Sequence, residues 1–159
     1  MKLIKVMLVA MAIVVPSVAF AITDDENLEF VTALGDGNIK VVQQYLDNGV
    51  NVNGSSFAWS PLQIAANKGQ IEIVKLLVEH GADLNYTHPI TKMTALSLAA
   101  YNGSMEVVQY LLSKGADPNI KLRGGVSIVR AVREVGNTAM VDFLMKNGAK
   151  DDGCQGKCE

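Results

Sequence analysis

The chain has little of the residue types that carry chemistry. Its 159 residues include two histidines, two cysteines and one tryptophan, and aromatic residues make up only 6% of it. His80 precedes Gly81 at a predicted helix C-terminus, where an imidazole interacts favourably with the helix dipole. His88 precedes Pro89 in a connecting loop, where exposure is expected. Neither has a nucleophile or second ligand beside it in sequence, and no Ser-His-acid, Cys-His, HExxH or phosphate-loop pattern occurs. These absences argue against an enzyme, and no catalytic residue, metal ligand or cofactor is expected. Charge of one sign is scarce too. Fourteen basic residues stand against 16 acidic ones, for a net charge of −2, with no basic stripe along the chain. The electrostatic footprint of a nucleic-acid binder is therefore missing.

Long apolar runs are absent except at the start. Lys2 and Lys5 flank an uncharged apolar stretch over residues 6–15, Pro16 and Ser17 end it, and Ala19-Phe20-Ala21 follows. A positive start, a short apolar segment and an A-x-A end are the parts of a cleavable secretory signal, here residues 1–21. An uncleaved anchor is the alternative, but residues 6–22 are broken by Pro16 and are at or below the length that crosses a bilayer. Without Lys2 and Lys5, 12 basic residues face 16 acidic ones, a net charge of −4. The periplasm is the expected location, with membrane contact only through the signal during export.

What the chain does have is a repeat. Gly37, Gly69, Gly103 and Gly136 recur at steps of 32, 34 and 33 residues. Gly49, Gly81, Gly115 and Gly148 follow them at a constant offset of twelve. Between each pair lies an amphipathic segment: Ile73, Val74, Leu76 and Leu77 form an apolar stripe at helical spacing, with Lys75 and Glu79 outside it. The closing glycine supplies the left-handed residue that ends a helix. Upstream lies a shorter helix, opened by Ser60-Pro61 or by Thr94, where a hydroxyl can cap and a proline costs nothing. Ala65-Ala66 and Ala99-Ala100 let neighbouring helices approach closely. Helix, turn, helix and extended finger make one unit.

The run SPLQIAA at 60–66, Gly69, GADLN at 81–85 and a period of ~33 residues resemble the ankyrin repeat. The resemblance implies an all-α solenoid of four helix-turn-helix repeats with extended, β-hairpin-like fingers. Their bounds are about 25–54, 55–87, 88–121 and 122–150, with a cysteine-containing tail at 151–159. The family's usual histidine in its Thr-Pro-Leu-His turn is replaced by Gln63, Ser97 and Arg130, so the loop hydrogen bonds it makes must be remade or lost. The first unit has LEFV at 28–31, and the last has Arg133 where alanine is expected. These two read as capping repeats that must tolerate water.

Proteins of this kind bind partners along a concave face of finger tips and short-helix surfaces. Carried over by position, the finger column is Phe57 and Trp59, Ile90 and Met93, then Arg123 and Val126. The short-helix column is Gly35 and Asp36, Asn67 and Lys68, Tyr101 and Asn102, then Glu134 and Val135. Tyr86, His88, Lys92 and Lys121 complete the tips. The partner-binding set is Phe57, Trp59, Lys68, Met93, Tyr101, Asn102 and Arg123. Trp59 either anchors a partner or lies against the next finger. Met93 reads as a gap filler. A monomer that binds another protein is expected.

Cys154 and Cys158 sit together in DDGCQGKCE at 151–159. An exported compartment favours a disulfide between them. A soft-metal site or a redox pair stays open, although two thiolates without a histidine make an incomplete zinc site. Asn53, Asn85 and Asn102 begin Asn-x-Ser/Thr triplets that read as turn chemistry. The resemblance also extends to exported bacterial ankyrin proteins, some linked to oxidative-stress defence as partners of catalase and others to immunity against secreted toxins.

Overall fold

The computed structural model describes residues 24–56 and 58–153. The signal segment, Phe57, Cys154 and Cys158 lie outside the described residues. Among the described residues eight α-helices follow in order: α1 (Asp24–Asp36), α2 (Ile39–Asp47), α3 (Pro61–Asn67), α4 (Ile71–Glu79), α5 (Ala95–Tyr101), α6 (Met105–Ser113), α7 (Ile128–Glu134) and α8 (Thr138–Lys146). A 3₁₀ turn, Arg123–Gly125, precedes α7. The odd-numbered helices pack side by side as an inner layer, α1 on α3 on α5 on α7. The outer layer stacks α2 on α4 and α4 on α6, and each outer helix also packs on the inner helix of its own unit.

The helix starts follow the hydroxyl and amide signals. Ser60 Oγ accepts from the Gln63 amide while Gln63 Oε1 accepts from the Ser60 amide, a reciprocal cap. Thr94 and Ser97 repeat it, and Ser127 Oγ accepts from the Arg130 amide. Such a cap contributes about 1 kcal/mol. The core is aliphatic: Leu34, Leu62, Ile73, Leu77, Leu96, Leu111, Met140 and Leu144 are fully buried. Ala65, Ala66, Ala99 and Ala100 are completely excluded from solvent. The small side chains bring α3 and α5 close, and added methylenes there would cost about 1–3 kcal/mol through overpacking.

The two glycine series differ in their surroundings. All eight have positive φ, which l-residues with a Cβ reach only with strain. At Gly37 and Gly69 a Cβ would also stand 2.6 and 2.8 Å from Gln70 Oε1 and Ser104 Oγ of the next repeat. At Gly81 and Gly115 it would meet nothing within 4 Å. Within the first series, then, Gly37 and Gly69 also meet the next repeat closely, whereas Gly103 has only an ordinary 3.4 Å contact with Asn137 and Gly136 has open space.

Asparagines tie the repeats together at the base of the fingers. Asn53 Oδ1 accepts from the Asp83 amide at 2.8 Å and its Nδ2 donates to Gly81 O. Asn85 Oδ1 accepts from the Asp117 amide at 2.9 Å, and Asn119 bonds the Lys150 amide and Gly148 O in the same way. Asn53 and Asn85, read above as local turn residues, therefore reach across repeat boundaries.

Both ends are sealed by polar contacts. Tyr45 of α2 donates to Glu29 of α1 at 2.7 Å. That bond, with partial burial and the charges of Glu29 and Glu26, pushes the Tyr45 phenol up to about 12. At the other end Arg133 pairs with Asp151 at 2.6 Å, and Asp152 accepts from the Ser127 amide at 2.9 Å. Residues 151 and 152, grouped above with the tail, are held against the last repeat.

Candidate partner-binding face

The fingers are hairpin-like turns, and no strand is formed among the described residues. Ser56 and Trp59 exchange backbone bonds at 3.0 Å. His88 N donates to Met93 O and Lys92 N to His88 O in the second finger, and Leu122 N to Val126 O in the third. Gln63 restores the family's lost histidine contacts by another route. It is fully buried, and its Nε2 donates across to the next finger, to Met93 O at 2.7 Å and Tyr86 O at 3.3 Å. Ser97 is too short for this. Its hydroxyl stays in its own turn, accepting from Thr94 N and donating to Thr94 O. The third finger is tied instead by the Arg123 amide, which donates to Thr91 O at 2.9 Å. Arg130 turns outward to Glu134 at 3.2 Å.

His88 corrects the expectation of an exposed loop residue: it is 6% exposed. Its Nδ1 accepts from the Ile90 and Thr91 amides, both at 3.3 Å, so the ring holds the tip turn together. Trp59 lies on it, with ring centroids 4.3 Å apart and planes tilted by 38°. The finger-to-finger packing considered for Trp59 is thus present. The same indole also borders a cleft of about 250 Å³ with Phe30, Val31, Leu34 and Ile64. Met93 is half-buried, and its carbonyl receives Gln63. His80, by contrast, is exposed at a helix end as expected, donating from Nδ1 to Leu76 O at 2.9 Å.

The remaining candidates face solvent. Lys68, Asn102 and Arg123 are exposed, and Tyr101 is 47% exposed at the end of α5. Asn102 Nδ2 donates to Asn67 O at 3.0 Å and Asn67 Oδ1 at 2.7 Å, joining adjacent inner helices. Six large hydrophobic residues are exposed among the described residues, and three of them, Ile90, Tyr101 and Val135, lie on fingers or inner-helix ends. Solvent-facing apolar groups beside unpaired charge suit a protein contact. Among the described residues no group of three or more His, Cys, Asp or Glu is placed to hold a metal ion. No helix among them is long and apolar enough to cross a membrane.

Known proteins agree with this architecture. A segment of an ankyrin-repeat, SAM and basic leucine zipper domain-containing protein from Atelerix albiventris is 38% identical over 66 residues. The corresponding protein of Carollia perspicillata is 37% identical over 65 residues. These matches cover 41% and 40% of this chain but only 14% of each relative's length. The family model for ankyrin repeats in three copies matches residues 30–122. With that match spanning more than half of the sequence, the chain belongs to the ankyrin-repeat family.

Proposed function

We propose that the chain is an exported, periplasmic interaction module whose concave face of fingers and inner-helix ends holds one partner protein and regulates, shields or assists it. The observation that carries this reading is that Ile90, Tyr101 and Val135 are exposed on the same fingers and inner-helix ends that carry the exposed Lys68 and Arg123. Ankyrin repeats are protein-binding modules, and rigid aromatic and arginine side chains are the usual anchors of such contacts. Export through residues 1–21 and action as a monomer belong to the same proposal. Within it, oxidative-stress defence beside a catalase is the first role to examine and immunity against a secreted toxin the second.

The test is capture from periplasmic extract with the chain beginning at residue 22. Tyr101→Ala with Arg123→Ala should lose the captured protein while the melting temperature stays within a few degrees of the parent. Capture unaffected by the double substitution would remove this face from the function. A second reading places the activity in Cys154 and Cys158, whose segment starts from the Asp151 and Asp152 contacts on the last repeat. Deleting residues 153–159 separates the two, since function surviving the deletion belongs to the repeats.

A further inference from the structure

Acidic side chains are missing from the fingers and from the two central inner helices, although Asp36 and Glu134 close α1 and α7 on the same side. From residue 48 to residue 133 the acidic residues are Glu72, Glu79, Asp83, Glu106 and Asp117. Every one lies in an outer helix or in the turn that follows it. The fingers at 50–60, 84–94 and 118–127 contain no acid, and neither do α3 and α5. The same regions carry Lys68, Lys92, Lys121 and Arg123, all exposed. The ion pairs Lys75 with Glu72, Arg130 with Glu134 and Arg133 with Asp151 involve none of these four cations. A protein with a net charge of −2 thus presents a cationic finger side.

The fold gathers these cations. The Arg123 amide bonds Thr91 O, which sets the Arg123 turn beside Lys92. Lys92 itself sits at φ 59°, a left-handed conformation that costs a lysine about 1 kcal/mol or more. Lys68 closes α3 one short helix away, its Cγ about 4 Å from where a Cβ would stand on Gly35 of the preceding inner helix. At the other end of the stack α1 begins with Asp24, Asp25 and Glu26. The face is therefore polar along its length, acidic at α1 and basic over the second and third fingers.

We propose that the partner's contact surface is acidic and is bound in one orientation, its carboxylates over Lys92, Lys121 and Arg123 and an apolar side chain against Ile90 or Tyr101. This rests on the concave-face reading above and adds the chemistry of what fills it. Cations on a recessed surface focus the field and speed encounter with an opposite charge. A protein fits better than a nucleic acid here. Four cations are few for a phosphate backbone, and Tyr101 alone among the exposed large hydrophobic residues of the described chain is aromatic, too little for a track of stacked bases.

The test is selection from a random peptide display library with the chain beginning at residue 22, followed by affinity measurement on the enriched peptides. Enriched sequences should be rich in Asp and Glu. Their binding should weaken at least about tenfold in K92E/K121E/R123E, on the scale expected for three reversed surface pairs. It should stay within about twofold in K40E/K114E/K146E, which changes the net charge equally on the outer helices. Circular dichroism melting should show both variants folded. Enrichment of neutral or basic peptides, or no enrichment, overturns the acidic partner. If neutral peptides lose binding on Tyr101→Ala, the concave-face reading stands without it. A single-stranded oligonucleotide that binds the same face as tightly as the peptides overturns it in favour of nucleic acid. A salt-sensitive dimer of the chain alone in sedimentation overturns it in favour of a second copy, with α1 as the acidic element.

Discussion

Gly69 and Gly81 share a left-handed backbone, with φ of 72° and 84°, yet they answer to different constraints. Alanine at 81 meets open space, so only the backbone strain is charged, about 1 kcal/mol. Alanine at 69 adds a methyl group 2.8 Å from Ser104 Oγ, and overpacking should bring the loss to about 2 kcal/mol or more. Urea unfolding of Gly69→Ala, Gly81→Ala and the Gly69→Ala/Ser104→Gly pair checks this. Equal losses for the two single variants, or no recovery in the pair, would show that inter-repeat contact is not what position 69 demands. Both glycine ladders were legible in the sequence, because a positive φ leaves a residue-type signature. Which glycines also face a neighbouring repeat was not, since that depends on the side chain about 33 residues away. His88 makes the same point. Its place before Pro89 reads as exposed loop, and only the packing of Trp59 and two inward amides makes it interior.

At the scale of elements, α7 and the residues after α8 show how a terminal repeat replaces the neighbour it lacks. Arg133 stands where an inner repeat would carry a small residue, and Asp151 comes back to pair with it. The Arg133 guanidinium, above all through its hydrogen bonds, holds the Asp151 carboxyl below its ordinary 3.8, against a smaller opposing effect of burial. A carboxyl lowered on folding stabilises the native state above its unfolded value, and that contribution disappears as pH falls through the lowered one. The clasp is therefore whole at neutral pH and opens only as pH falls through that lowered value, where Arg133 remains charged. Asp151→Asn should lower the melting temperature at pH 7 and flatten the acid limb of its pH profile. A variant whose profile runs parallel to the parent down to pH 2.5 would rule out the pair as a source of acid sensitivity. The arginine was visible in sequence as a departure from the repeat. Its partner was not, because a clasp 18 residues apart follows no repeat period.

For the molecule as a whole, stability should be graded along the stack, since each repeat buries its apolar side only against its neighbours. The outer layer is continuous from α2 through α6, but a cleft of about 470 Å³ opens between α6 and α8, bordered by Leu112, Pro118 and Phe143. Hydrogen exchange should find the α4 and α6 amides most protected and those of α8 at least about tenfold faster, because α8 has less apolar contact to break before it opens. Protection of α8 equal to that of α6 would contradict a loose outer edge. The sequence alone determined the helix pairs and the caps at Ser60 and Thr94, because each rests on neighbours within one or two turns, and the period, because the same residue types recur at it. The interaction-module class followed from the family that this pattern resembles. Only the tertiary structure decided that Gln63 replaces the missing histidine, that asparagines 53, 85 and 119 join successive repeats, and that scattered lysines and an arginine share fingers that carry no acidic residue. Those contacts link residues 23 to 32 apart, or gather charges from separate fingers, and a linear pattern holds no record of which distant group a side chain will meet.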